Sequence, residues 1–309
     1  MNKPEMTVVS TPSMSEPVLR VALAQMVSGC SDPDPQTVIA ANLAAVRRLV
    51  GEAAVRGAQL VILPENLLTF GLRQGFSLSD QQQWLSAFSA LARSQGVWLV
   101  AGSLPLTLDP LCAADKPPDD TVKPWATCVV FDCDGHTAGY YRKMHLFDAS
   151  VSDGVGRYRE SDSFTAGDQP VVLPTPWGKM GLGICYDLRF PGYFQALADA
   201  GAEFVALPSA FTHATGQAHW EILLRARAIE NQLFMLGVNQ GGEHGSGRVT
   251  WGDSMAVNPW GEVIARAQTA THGSTSGNLG EQLVVTDLDL SMTGAIRAKM
   301  PVTEHRRLR

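Results

Sequence analysis

Three polar side chains stand where an apolar run stops. Glu65 ends Leu-Val-Ile-Leu-Pro-Glu, Lys143 ends Tyr-Tyr-Arg-Lys, and Cys185 follows Met-Gly-Leu-Gly-Ile. Ligands of open α/β sheets gather at the carboxyl ends of strands, so all three are placed to converge although they lie far apart in sequence. Their chemistry is coherent. A thiolate is a strong nucleophile that needs a base or a positive field to form near neutral pH. A carboxylate can take the thiol proton and deliver it to a leaving amine, and a fixed ammonium can stabilise the oxyanion of a tetrahedral intermediate. Together the set suits acyl transfer from an amide, with no metal or cofactor. Each residue taken alone has a plainer reading: Cys185 as a small buried hydrophobe, Lys143 as a surface charge, Glu65 as a carboxylate at a helix start.

The elements that must position these groups alternate. Leu19–Met26 has the pattern of a strand, and Thr37–Arg56 follows with helical spacing up to Gly57. A short strand at Leu60–Leu63 is stopped by Pro64. A helix over Asp80–Gln95 ends at Gly96, and a strand is expected over Val97–Leu104. Trp125–Asp132 and Thr137–Arg142 flank Asp134-Gly135, a hairpin signal. The second half repeats this logic. Lys179–Ile184 and Glu203–Leu207 are strands around a helix at Phe190–Ala200. A helix over Gln217–Leu233, with Trp220, Leu223, Ala226, Ile229 and Leu233 on one side, leads to a strand at Phe234–Gln240. A hairpin then joins Ser254–Val257 to Glu262–Arg266. Two mixed sheets packed face to face with helices outside would bury these faces; a doubly wound single sheet is the other architecture the periodicity allows. Residues 1–18 read as a flexible N-terminal tail and 19–309 as a single domain, with Asp109–Pro124 and Thr269–Gly280 as surface loops.

Composition narrows the class. The 309 residues carry 24 Lys+Arg against 30 Asp+Glu, a formal charge of −6, and are 45% hydrophobic, as in ordinary globular proteins. Mild acidity without a long block of like charge argues against a nucleic-acid binder. No apolar run approaches the roughly 20 residues that span a bilayer, and residues 1–17 lack the apolar stretch of a secretory signal. Five cysteines, a sparse and odd count, fit free thiols in a reducing cytoplasm.

Three motifs carry a resemblance. Leu63-Pro-Glu-Asn, Tyr141-Arg-Lys-Met-His and Gly183-Ile-Cys-Tyr-Asp-Leu-Arg-Phe-Pro resemble the nitrilase (carbon–nitrogen hydrolase) superfamily, in order and over nearly the whole chain. The resemblance implies a four-layer αββα sandwich and a Glu–Lys–Cys triad, with Glu65 as general base and acid, Lys143 as oxyanion stabiliser and Cys185 as nucleophile. It further implies the Tyr186 backbone N–H as a second oxyanion donor and, from Tyr158-Arg-Glu-Ser-Asp, Glu160 as the group that orients Lys143 or positions substrate. Oligomerisation is typical of such proteins, and a homodimer is expected here.

Within the superfamily, Pro208-Ser-Ala-Phe, Thr215-Gly-Gln-Ala-His-Trp-Glu, Leu224-Arg-Ala-Arg-Ala-Ile-Glu and the run from Trp251 to Gly261 are similar to the branch of deaminated glutathione amidases and ω-amidases. That likeness implies a small amide with a 2-oxoglutaryl acyl group, held by Arg189, Phe211 and Thr215. Arg189 lies about one helical turn past the nucleophile, and a guanidinium suits a carboxylate. Pairing with Asp187, or a helix end, would equally occupy Arg189, and core packing would occupy Phe211. Gln217 stands where proline is usual, and Glu65-Asn-Leu-Leu-Thr-Phe-Gly departs from the branch's wording, which leaves the leaving group open between cysteinylglycine and ammonia. Two further classes are weighed. A glutamine amidotransferase module would want a Gly-x-Cys-x-Gly elbow, which Cys185-Tyr-Asp is not, and a scaffold of the same fold would be favoured if a triad member were replaced. His213 and His219 have no third ligand in the sequence for a metal, and His145 reads as a support of the lysine loop.

Overall fold

The computed structural model describes residues 18–307 apart from 30–31, 33, 73–74, 113–122, 152–155, 246 and 268–279. In chain order the strands are β1 (Val18–Gln25), β2 (Leu60–Ile62), β3 (Trp98–Val100), β4 (Leu104–Leu106), β5 (Trp125–Phe131), β6 (Thr137–Arg142), β7 (Asp148–Val151), β8 (Gly156–Arg159) and β9 (Val171–Thr175). They continue as β10 (Gly178–Leu182), β11 (Phe204–Ser209), β12 (Phe234–Asn239), β13 (Gly241–Glu243), β14 (Val249–Trp251), β15 (Met255–Val257), β16 (Val263–Arg266) and β17 (Gln282–Asp289). The helices are α1 (Pro35–Val55), α2 (Leu78–Gln95), α3 (Pro191–Asp199), α4 (His213–Asn231) and α5 (Ser291–Lys299).

Two mixed sheets result, so the doubly wound alternative is overturned. The first has seven strands in the order β17-β1-β2-β3-β5-β4 with β6 paired to β5; the second has six, in the order β16-β15-β12-β11-β10-β9. Each is built around three parallel strands, β1-β2-β3 and β10-β11-β12, flanked by antiparallel ones. Alternation along β1 explains the layering. Leu19, Val21 and Leu23 point into a core shared with Met180, Leu182, Phe204 and Leu236 of the second sheet. Ala22 and Ala24 point the other way, against Val46, Leu49 and Val50 of α1 and Phe88 of α2. Successive strand residues face opposite sides, so one strand serves both interfaces. Trp220 and Leu224 of α4 and Phe194 of α3 join the core from the second sheet's far side, which completes the αββα order.

Local chemistry sets the helix ends. Asp34 caps α1, accepting from the Gln36 and Thr37 amides, with Pro35 in the first turn. Ser77 and Asp80 form a capping box at α2, and Gly96 closes it in the left-handed region. Two expectations shift. The run Val97–Leu104 is two strands, β3 and β4, because the chain turns at Gly102 (φ 54°), where a Cβ would lie 2.0 Å from the Pro64 carbonyl oxygen. Only glycine lets that turn press against the backbone that carries Glu65. Helix α4 starts earlier than the periodicity predicts, capped by Thr212, and buries Trp220, Leu224, Arg227 and Ala228 while Ile229 is exposed. Val18, expected as the last residue of the tail, already begins β1, paired with Asp289; residues 1–17 and most of the two expected loops, 113–122 and 269–279, lie outside the described residues. Among the described residues no helix is long and apolar enough to cross a membrane.

Candidate active site

Glu65, Lys143, Glu160 and Cys185 come from four separate elements and meet at the carboxyl ends of the strands. Glu65 lies just past β2. Its amide donates to the Ser209 carbonyl at 3.4 Å and its carbonyl accepts from Gln240 Nε2 at 3.0 Å. Asn66, the next residue, has φ 55°, and its amide donates to Ser103 Oγ. Lys143 follows β6, tied on both sides of its backbone by Ala126 O and the Gly167 amide. Glu160 opens a 3-10 turn after β8.

The ammonium of Lys143 donates to Glu65 Oε1 at 2.7 Å and to both oxygens of Glu160 at 2.9 and 2.8 Å. Glu160 Oε2 also accepts the Phe147 amide at 2.6 Å. Lys143 is 1% exposed and Glu65 3%, so the cluster is nearly dry. The Glu65 carboxylate and the Ala210 amide both act on the Cys185 thiol, the carboxylate disfavouring the thiolate and the amide favouring it. Cys185 has φ 46° at the start of the 3-10 turn Cys185–Arg189. A non-glycine residue in that region is strained, and the strain throws the side chain off the strand end.

Charge balance follows from this geometry. Burial raises the Glu65 carboxyl above its ordinary value, opposed by the Lys143 charge and aided by that of Glu160. Burial works against the Lys143 ammonium, but the charges of Glu160 and Glu65 outweigh it and hold its pKa well above the ordinary value. Burial, then the Glu65 charge, pushes the Cys185 thiol well up, against the pull of Lys143. The corner sets a thiol pushed toward its neutral form beside a fixed ammonium, with the Glu65 carboxyl placed to exchange the thiol proton.

Asp187 holds the corner together, a task that sequence reasoning missed. Fully buried, it accepts from Tyr141 Oη and the Ile184 amide at 2.8 Å each, and from the His145 amide at 3.2 Å, with His145 Nδ1 at 2.7 Å. It thereby ties the lysine loop to the cysteine turn. His145 supports that loop as expected, and its ring stacks on Phe190 at 3.8 Å.

The remaining predicted residues form a separate group. The Arg189 guanidinium lies 5.4 Å from the Phe211 ring centroid and 5.8 Å from that of Tyr186, and contacts His219 Nδ1 at 3.2 Å. Thr215 pairs with Thr212 at the start of α4. A cavity of about 1470 Å³ opens onto Glu65, Lys143, Glu160 and Cys185, and its wall includes Phe76, Phe147, Tyr158 and Arg248. Arg189, Phe211, Thr215 and Tyr186 are not part of that wall. His213 packs edge-on against Trp251.

Fold and chemistry together define a hydrolase of carbon–nitrogen bonds. The chain belongs to the carbon–nitrogen hydrolase family, whose model matches residues 20–298. It is 39% identical to the deaminated glutathione amidase of Yersinia enterocolitica, over 93% of this chain and 92% of that one. It is 36% identical to the omega-amidase NIT2 of Xenopus tropicalis, over 86% and 89%. Among solved structures, Saccharomyces cerevisiae Nit3, described as a member of branch 10 of the nitrilase superfamily, superposes with a TM-score of 0.73 at 30% identity, covering 97% of this chain and all of that one.

Proposed function

We propose that this enzyme hydrolyses a small carboxylated amide through a Cys185 thioester, with deaminated glutathione as substrate and 2-oxoglutarate and cysteinylglycine as products. The observation that carries the mechanism is the Glu65–Lys143–Glu160 cluster closed against a thiol at a strained turn. Glu65 takes the thiol proton as sulfur attacks the amide carbon. Lys143 and the Tyr186 amide hold the oxyanion, and Glu160 keeps the ammonium aimed. The C–N bond breaks as Glu65 gives its proton to the leaving nitrogen. Glu65 then takes a proton from water, whose oxygen attacks the thioester. The C–S bond breaks, the acid leaves and the thiol regains its proton from Glu65.

Arg189, with Phe211 and Thr215, is assigned the acyl carboxylate. Its place on the nucleophile's own turn and over Phe211 supports this. The cavity exceeds the roughly 300–1,000 Å³ usual for small ligands, which favours the peptide-like amide. The omega-amidase relative supports 2-oxoglutaramate as the alternative, with ammonia leaving. A cytoplasmic homodimer belongs to the same reading; unpaired thiols at Cys112, Cys128, Cys133 and Cys185 support the reducing compartment.

The test is kcat/KM for deaminated glutathione and 2-oxoglutaramate side by side, with Cys185→Ala as blank. The expected result is at least tenfold preference for the peptide and a blank lower by about 10⁴ or more. Preference for the small amide moves the assignment to ω-amidase. Turnover by the Cys185→Ala protein ends the thioester mechanism.

A further inference from the structure

Arg248 is the guanidinium of the cavity wall that is both half-buried and fixed in place. It stands 4.6 Å from the Phe70 ring centroid and 5.4 Å from that of Tyr158. Its backbone carbonyl accepts the His244 amide, and His244 is itself buried, stacked on Phe70 at 3.9 Å and bonded to Ser28 O and Thr250 Oγ1. The aromatic rings hold the face of the guanidinium and leave its N–H fork free for an acceptor. Arg227, Arg266 and Arg306 each reach a carboxylate. Among the described residues, no carboxylate pairs with Arg248.

Its surroundings favour an anion. Arg157 and Arg159 of β8 stand exposed on the same wall, with Asp162 as the nearby acid. Deeper in, the Lys143 charge is already matched by Glu65 and Glu160. The wall as a whole carries four cations against three carboxylates, and its cations away from Lys143 are the three arginines, so this part of the cavity draws and orients negative groups. Arg189, assigned above to the acyl carboxylate, lies outside this wall and beside Phe211 and His219 instead.

Resting on the substrate reading above, we propose that Arg248 is the specificity-determining residue for the amine side of the scissile bond. Its fork pairs with a carboxylate on the leaving group, so an amide whose amine is a carboxyl-terminated dipeptide is chosen over one that releases ammonia. The experiment measures kcat/KM of wild type, Arg248→Gln and Arg248→Lys on deaminated glutathione and on 2-oxoglutaramate. In Arg248→Gln the peptide-to-small-amide ratio is expected to fall at least tenfold, mainly through KM of the peptide. Arg248→Lys is expected to restore part of the ratio, because a lysine keeps the charge and loses the fork. An unchanged ratio, whether both rates fall together or neither does, overturns the proposal, as does a loss confined to 2-oxoglutaramate. If the wild type hydrolyses neither compound, the substrate reading has failed separately. Binding of cysteinylglycine to the Cys185→Ala protein then decides: weakening by Arg248→Gln keeps the proposal, and equal or absent binding in both proteins overturns it.

Discussion

Ionisable groups are buried in this molecule in two different ways. Cys128 sits within β5 with no exposure, and burial alone pushes its thiol far up. His244 is hydrogen-bonded to neutral partners, Ser28 O and Thr250 Oγ1, and burial, aided by the Arg248 charge, drives its pKa down to about 4. Both are held in the uncharged form. Glu65 and Lys143 are almost as dry, and they are buried together with Cys185 and the part-buried Glu160. There the neighbouring charges work against the cost of desolvation: they outweigh it for the Lys143 ammonium and oppose it only in part for the Glu65 carboxyl, which stays raised. The contrast separates the two cysteines without reference to sequence. Burial by itself makes a thiol inert, and burial among opposite charges makes proton transfer to a neighbour the only route to a thiolate.

The largest effect that tests this contrast comes from removing one charge of the cluster. Glu160→Gln takes away one of the two carboxylates that hold Lys143. The expected loss in kcat/KM is about 10²–10³, the size seen when an oxyanion donor is disturbed. The sign of the pH effect is also fixed. The Glu160 charge raises the Glu65 pKa, so its removal lets Glu65 ionise at lower pH and the acid limb of the kcat/KM profile moves to lower pH. A limb that moves upward, or a variant that keeps full activity, would show that Glu160 does not share the field of the cluster.

Glu65, Lys143 and Cys185 are legible in the sequence because each ends an apolar run, and strand ends converge in α/β sheets. Glu160 is readable only through its motif: β7 and β8, the hairpin before it, are short and largely exposed, with no apolar face to give an alternation. Asp187 was missed because its partners Tyr141 and His145 lie 46 and 42 residues away, so nothing local marks it. The face of α4 was misread because Arg227 is buried, donating to Leu188 O, while Ile222 and Ile229 are exposed. Hydrophobicity alone cannot see a cation whose hydrogen bonds are met inside. Arg248 carries no signal either, since its place over Phe70 and Tyr158 depends on bringing three remote segments together.

His244 gives the next effect, on stability. Its folded pKa of about 4 lies below the ordinary histidine value of 6.5, so the unfolded chain takes up a proton first as pH falls. The contribution is fully present above pH 6.5 and is lost progressively down to about 4, amounting to about 3 kcal/mol. Urea unfolding at pH 7 and at pH 4.5, for wild type and His244→Gln, isolates it. The wild type is expected to lose more stability on acidification than the variant. Equal losses would mean that His244 is charged in the fold, and the two modes of burial would then not be distinct.

Cys128→Ala gives the smallest effect and the sharpest control. The thiol lies in the core shared by the two sheets, with Tyr141 and Val130 in the same cluster, and its removal takes away packing without touching a charge. The expected cost is about 1 kcal/mol, the low end for trimming a buried side chain, read as a shift in the urea midpoint at constant slope. The rate constants should stay within a factor of two. Cys128→Ser is the stricter variant, because its hydroxyl would be left in an apolar site and should cost a further 1–3 kcal/mol or so. If Cys128→Ala instead lowers kcat by tenfold or more at unchanged stability, the thiol in β5 is linked to the reaction, and burial without charge is not enough to keep a cysteine silent in this fold.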